Sequence, residues 1–478
     1  MDRNIISYLH LEESFSRSGG NAAPAVLSDC YREISGSDFY AAAAAFAERL
    51  YEREVWNQPV IIRAGHRLET PAMFLGALLS GNYYVPLPDD MPEEKVREVM
   101  GKLQAEEVYT YDDVRFVRKP PPQDLLNGLR EARGRLPEDA TLYVVFTSGS
   151  TGEPKGIVKS HRGMAAFLDS YSRAFEFSEG DVLACQTPFC FDASAKDFYL
   201  MLQYRMDFHI IHREMFFRPS ELVGLLDRRK VTLLQWVPSA LSMLSQVKAF
   251  DRDVPHSLRE VFFVGETFPA GQLKYWKEHL SGAVFVNLYG ASEMAGVCCS
   301  YVVPDGWDGG AVPLGKALPG QEVFLLREGE IIQEPGVAGE ICVRSDTLAE
   351  GYLDAQEESR EKFGSFYRTG DIAEYDREGN LCFLSRQDFQ VKHMGHRIEL
   401  GAIESTAECM EGVDRAGAVF SEGRICLYYQ GDADKRRVKE FLEKKLQPYM
   451  VPRKIICLDM LPLNRNGKTD HMALQQLR

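Results

Sequence analysis

Five apolar residues, Leu142–Phe146 (LYVVF), run straight into the stretch TSGSTGEPKG, Thr147–Gly156. Few patterns restrict a fold as tightly. An apolar run that short, bounded by glycine-rich sequence, reads as a buried strand. The loop after it carries three glycines (Gly149, Gly152, Gly156), four hydroxyls and one lysine. Glycine lets backbone N–H groups converge on one point, which makes such a loop a cradle for a polyphosphate. The hydroxyls of Thr147, Ser148, Ser150 and Thr151 add neutral donors, and Lys155 adds a mobile positive charge. It is not a Walker A loop: that pattern needs a glycine directly before the lysine, and Pro154 stands there.

The chain around this loop alternates helix-like and strand-like stretches for roughly the first 380 residues, as when helices cover a largely parallel sheet. Phe39–Arg53 reads as a helix, Pro59–Ala64 as a buried strand, and Thr70–Gly81 as a buried helix that stops at glycine. KVTLLQWVP and REVFFVGE read as further strands, each ending in a proline or glycine turn, and ligands in such sheets bind at strand carboxyl ends. The N-terminal stretch, about 40 residues, carries no readable signal. Near residue 380 the character changes. Asp376–Asn380 (DREGN) reads as a hairpin turn, His396–Met410 as a helix, Gly423–Gly431 as a strand and DKRRVKEFLEKKL as an amphipathic helix.

At 478 residues the chain exceeds one ordinary core. The fold class expected is α/β: a large N-terminal domain, 1–385, of mostly parallel sheets covered by helices, a hinge at 386–388, and a small mobile C-terminal α+β domain, 389–478. A net charge of −15 argues against a nucleic-acid partner. No apolar run reaches the ~18 residues that span a bilayer, and MDRNIISYLHLEESF lacks the basic and apolar regions of a secretion signal. No membrane partner and a cytoplasmic location are expected. The ten cysteines form no CxxC pair, so reduced thiols are expected rather than disulfides or structural zinc.

Nine stretches in order, from LLSGNYYVPLPDDMP through YVVFTSGSTGEPKGIV, FCFDASAKD, NLYGASE, GEICVRSDTLAEGYL, YRTGD and SRQDFQVKHMGHRIELGAIE to LQPYMVP and LPLNRNGKTD, resemble the adenylate-forming superfamily. That family holds acyl-CoA synthetases, luciferases and the adenylation domains of nonribosomal peptide synthetases. The amino-acid-activating branch matches best, including stand-alone D-alanine:carrier-protein ligases. The resemblance implies that a carboxylate and ATP give acyl-AMP and pyrophosphate, and that the acyl group then passes to a thiol.

Carried over position by position, the resemblance gives each of these residues an expected role. Thr147, Ser148, Gly149, Ser150, Thr151, Gly152 and Lys155 hold the ATP phosphates. Glu293 is the Mg²⁺ ligand, a hard oxygen suited to that ion, and Ser292 stands where a threonine usually meets the α-phosphate. Tyr289 stacks on adenine, Asn287 bonds its amino edge, Gly265 and Glu266 form the opposite wall, and Gly290 belongs to the same motif. Asp371 takes both ribose hydroxyls, since two carboxylate oxygens match two vicinal donors, and Arg386 is a second ribose or phosphate contact. Lys468 is the catalytic lysine, Asp388 the hinge, and Gly395 leaves room for a phosphopantetheine arm.

For the acid, Asp192 matches the carboxylate that pairs with a substrate α-ammonium. Ala193, Lys196, Trp236, Phe262, Val264, Leu288, Gly296 and Val297 would line the side-chain pocket. Lys196 is the unusual member. It either meets an acidic substrate side chain or neutralises Asp192 or another local carboxylate, and the sequence leaves both open. The chain stops eight residues after Asp470, with no carrier segment and no GxDS attachment site. A discrete carrier protein bearing phosphopantetheine is therefore the first-choice acceptor and free coenzyme A the second. ATP and Mg²⁺ are the cofactors implied.

Overall fold

The computed structural model describes residues 5, 9, 26–53, 56–116, 124, 127–128, 131, 136–137, 139–148, 154–386, 390–393, 396–421, 423–462 and 469–477. The chain divides into two compact units. One comprises Met1–Asp90, Val96–Val145 and Gly156–Ser385; the other comprises Met91–Lys95, Phe146–Lys155 and Arg386–Arg478.

The first unit is built on three sheets. The largest has nine strands in the order Lys316–Ala317, Cys299–Val303, Val284–Tyr289, Glu260–Val264, Leu233–Trp236, Val182–Cys185, Asp207–Ile210, Val26–Ser28 and Glu33–Ser35. Its centre is parallel and its margins are antiparallel. Parallel strands are buried on both faces, which is why LLQW and EVFFV read as nearly continuous apolar runs. Alternation still decides which core each side chain enters. Phe262 and Val264 join one apolar cluster, while Val261 and Phe263 join the cluster on the other face. Each such fully buried side chain contributes about 1.5–3 kcal/mol. A second sheet runs Gly351–Tyr352, Pro154–Ser160, Thr141–Ser148, Tyr83–Leu87, Pro59–Arg63, Val108–Tyr109. A third, antiparallel, has five strands from Glu330–Ile332 to Leu381–Arg386.

Local signals act where the sequence suggests. The alanine-rich helix spans Gly36–Tyr51 and is capped by Ser35, whose Oγ accepts the Asp38 N–H at 3.1 Å. The buried helix Glu69–Leu79 is followed by Gly81 at φ 78°. Asp376–Asn380 is the turn between Tyr367–Tyr375 and Leu381–Arg386, closed by the Asp376 N–H on the Asn380 carbonyl at 2.9 Å. Two regions differ from expectation. The N-terminal stretch carries two strands of the large sheet, Val26–Ser28 and Glu33–Ser35. His396–Glu399 is a strand paired with Gln390–His393, and the helix begins only at Leu400.

In the second unit, a three-stranded sheet (Val413–Ser421, Arg424–Gly431, Lys454–Cys457) carries the helices Leu400–Glu408 and Lys435–Lys445. Ile398, Ile403, Leu427, Val438 and Leu442 share its core. Asp434 caps the second helix by accepting from the Arg436 and Arg437 N–H groups. The molecule is thus mixed α/β, with parallel sheets in the larger unit and a smaller α+β unit.

Candidate active site

Asp192 stands just before the helix Ala193–Tyr204, where a carboxylate ordinarily caps the first turn, yet it makes no capping hydrogen bond. Its oxygens have other partners. The Tyr143 hydroxyl donates to Oδ1 at 2.8 Å. The Lys159 ammonium lies 3.2 Å from Oδ1 and 3.3 Å from Oδ2. Lys159 reaches this point from the strand Pro154–Ser160, and that strand ends where Ser160 Oγ caps the helix His161–Ala174 by accepting the Gly163 N–H. The same ammonium donates to the Met294 carbonyl. The lysine side chain is 1% exposed and that of Asp192 10%. Burial raises the Asp192 carboxyl above the ordinary range, and the Lys159 charge works against that rise. Burial likewise lowers the Lys159 ammonium, with Asp192 opposing it. Removing one partner of such a pair leaves the other charge without its compensating neighbour.

Next to Met294, Glu293 is buried, and its Oε1 accepts the Tyr352 hydroxyl at 2.9 Å. A single hard-oxygen carboxylate fits an Mg²⁺ ion that brings its remaining ligands from nucleotide phosphates and water. Among the described residues no group of three or more His, Cys, Asp or Glu is placed to hold a metal. Ser292 is half-buried beside it.

The residues expected to meet the nucleoside fall into bonded sets. Tyr289 donates its hydroxyl to Asp371 Oδ2 at 2.5 Å, and the Asp371 N–H is held by Thr369 Oγ1. Burial first, and the Asp371 charge second, push the Tyr289 hydroxyl well above its ordinary range, so it remains a donor at neutral pH. Asn287 gives its Nδ2 to the Pro313 carbonyl at 2.7 Å, which orients its amide so that the carbonyl oxygen is the acceptor end. Gly265 holds φ 96° with open space where a Cβ would stand, and the Glu266 carboxylate accepts the Ser239 N–H. At Gly290 a Cβ would meet the Gly296 carbonyl oxygen at 2.5 Å, so this glycine answers a close backbone approach. Thr147 and Ser148 end the strand Thr141–Ser148, Lys155 lies at the start of Pro154–Ser160, and Arg386 ends Leu381–Arg386. Gly149, Ser150, Thr151, Gly152, Asp388, Gly395 and Lys468 lie outside the described residues.

The acid pocket brings one correction. Trp236 does not share a face with Phe262. Gln235 is the in-register partner of Phe262, and Trp236 that of Phe263. Trp236 packs on Phe216 in the opposite core and donates its indole N–H to the Ala184 carbonyl at 2.7 Å. The face of Phe262, Val264, Leu288 and Val297 therefore carries Gln235, buried, with its Oε1 accepting the Tyr171 hydroxyl. For Lys196 the structure favours the second of the two options, a local carboxylate. Its ammonium is 2.8 Å from Asp197, its own neighbour, and donates to the Ala193 carbonyl; Asp192 has Lys159 instead. Gly296, at φ 104°, has no room for a side chain because Phe167 is 2.4 Å from the ideal Cβ, and Ala193 is half-buried. Lys159, Tyr143 and Gln235 are the site residues that sequence reasoning passed over. Each is a polar group inside an apolar strand, a signal present in IVKS, LYVV and LLQW.

The chain matches the AMP-binding enzyme family over residues 12–353 and the AMP-binding enzyme C-terminal domain over 403–468. It is 29% identical over 483 residues to the D-alanine–D-alanyl carrier protein ligase of Bacillus licheniformis, covering 93% of this chain and 94% of that one. It is 30% identical over 440 residues to tyrocidine synthase 3 of Brevibacillus parabrevis, covering 85% of this chain but 7% of that protein. In fold it is similar to the Vibrio cholerae adenylation domain AlmE, crystallised with glycyl-adenosine-5'-phosphate, at a TM-score of 0.84 and 20% identity over 99% of this chain and 96% of that one. Among the described residues no helix is long and apolar enough to cross a membrane.

Proposed function

The chain belongs to the AMP-binding enzyme family, and from that premise we propose that it activates a small carboxylic acid of the amino-acid class, meaning an α-amino acid or its α-hydroxy or α-keto counterpart. The acyl group then goes to the phosphopantetheine thiol of a separate carrier protein. In the first half a carboxylate oxygen attacks the α-phosphorus of ATP, and the bond to pyrophosphate breaks. In the second half a thiolate attacks the acyl carbon, and AMP leaves with the oxygen that came from the acid.

The observation that carries the reading is the set of charged and hydroxyl groups in the large unit, each already held by a second group. Tyr289 and Asp371 are joined by a short hydrogen bond, which suits a flat ring for adenine beside a carboxylate for two ribose hydroxyls. Glu293 would hold Mg²⁺, whose charge offsets that of the phosphates when it is bound. Asp192, at the start of Ala193–Tyr204, is the group we assign to the α-substituent of the acid. Lys468 is assigned to the carboxylate and the α-phosphate together, where its charge offsets what builds up between two anions. Likeness to a ligase that acts on a carrier protein over nearly its whole length supports the acceptor.

ATP–pyrophosphate exchange tests the first half. We expect acid-dependent exchange, and a Lys468→Ala variant slower by roughly 10²–10³-fold. Exchange by Lys468→Ala at the unsubstituted rate overturns that assignment, and thioester formation on free coenzyme A in preference to a carrier protein overturns the acceptor.

A further inference from the structure

The ammonium beside Asp192 bears on which acid the chain takes. A substrate α-ammonium stripped of water needs an anion and carbonyl oxygens around it. Lys159 already supplies an ammonium to groups of that kind. Its Nζ stands 3.2 Å and 3.3 Å from the two Asp192 oxygens and donates to the Met294 carbonyl. The Tyr143 hydroxyl occupies Asp192 Oδ1 as well. The lysine is sealed at 1% exposure, while Asp192 keeps 10%, so a ligand meets the carboxylate with its counter-charge in place behind it.

We infer that Lys159 is the resident counter-ion of Asp192, and that the acid this chain activates carries no free α-ammonium but an uncharged α-substituent, a hydroxyl or a ketone. The inference rests on the reading above that Asp192 faces the acid's α-position. A second ammonium at Asp192 would stand within a few ångströms of the first, and like charges that close repel strongly in a partly buried site. An uncharged substituent avoids this. An α-hydroxyl can donate to a remaining Asp192 lone pair, and a ketone brings no second positive charge to the pair. Lys159 is thus a specificity-determining residue that interrupts the apolar run of its strand.

The test uses the full chain in ATP–pyrophosphate exchange with sets of acids matched in carbon skeleton and differing only at the α-position: amine, hydroxyl or ketone. The hydroxy or keto member is expected to exceed the amine in kcat/KM by about tenfold or more. An amine member that is the fastest of its set overturns the inference and leaves the adenylation reading standing. No exchange with any acid sinks the adenylation reading and the inference with it. In Lys159→Met the ratio of amine to hydroxy acid is expected to rise at least about tenfold. Because the ratio is taken on one preparation, it does not depend on the fraction folded, and an unchanged ratio removes Lys159 from the role.

Discussion

Two lysine–aspartate pairs meet at the start of the helix Ala193–Tyr204, and they are built differently. Lys196 and Asp197 are sequence neighbours, 2% and 0% exposed, with Nζ 2.8 Å from Oδ1. Nothing from solvent reaches them. Lys159 and Asp192 join a strand to a helix start, and the aspartate keeps a window of exposure beside Tyr143. One pair serves the core it is sealed in; the other presents an anion whose charge is already answered. The difference teaches that a buried lysine in a pocket motif does not by itself select an acidic ligand. What matters is whether its partner lies inside the chain.

Breaking the sealed pair is the harshest test of this contrast. Lys196→Met leaves Asp197 buried and unpaired, and urea denaturation should show a loss of about 3–5 kcal/mol. Lys196→Met with Asp197→Leu should recover most of it. The same change at Lys159 should cost less, about 1–3 kcal/mol, because Asp192 keeps the Tyr143 hydroxyl and access to water. Acid sharpens the distinction. Burial already holds the Asp197 carboxyl above its ordinary range, and loss of Lys196 raises it further. Between that raised value and the unfolded value near ~3.9 the folded state binds the extra proton, so the Lys196→Met deficit should shrink as pH falls through that window. A deficit that grows on acidification would mean the aspartate is not the stranded group.

A smaller effect separates the two faces of the strand Leu233–Trp236. Trp236→Phe removes the indole bond to Ala184 and should cost about 1 kcal/mol of stability, with the ranking of acids unchanged. Gln235→Leu should change that ranking, read as kcat/KM ratios in the exchange assay, because it alters the face shared with Phe262 and Val264. If the tryptophan change re-ranks the acids and the glutamine change does not, the two faces have been assigned the wrong way round.

Much of the frame was legible because local chemistry and global packing agree. The Phe39 helix and its neighbouring strand and helix lie within a few residues of where composition and glycine place them, and the apolar LYVVF is a strand. The strand Val26–Ser28 was not legible. It pairs with the nearby Glu33–Ser35 on one edge and with Asp207–Ile210, some 180 residues away, on the other, but each of the two N-terminal strands is only three residues long, too short to show an alternation. Asp192, Glu293 and Asp371 stood out because they sit in recognisable stretches. Lys159 did not, since its meaning depends on a contact between two elements. Trp236 was assigned to the pocket by resemblance alone, and in the structure it faces the opposite core, since successive residues of a strand point to opposite faces.

The path of one oxygen atom tests the central claim most directly. With an acid labelled in both carboxylate oxygens with ¹⁸O, turnover in the presence of the carrier thiol should give AMP bearing a single ¹⁸O on its phosphate, because the acid's oxygen attacks the α-phosphorus and leaves with AMP. Unlabelled AMP, or ADP with the label in inorganic phosphate, would contradict adenylate formation.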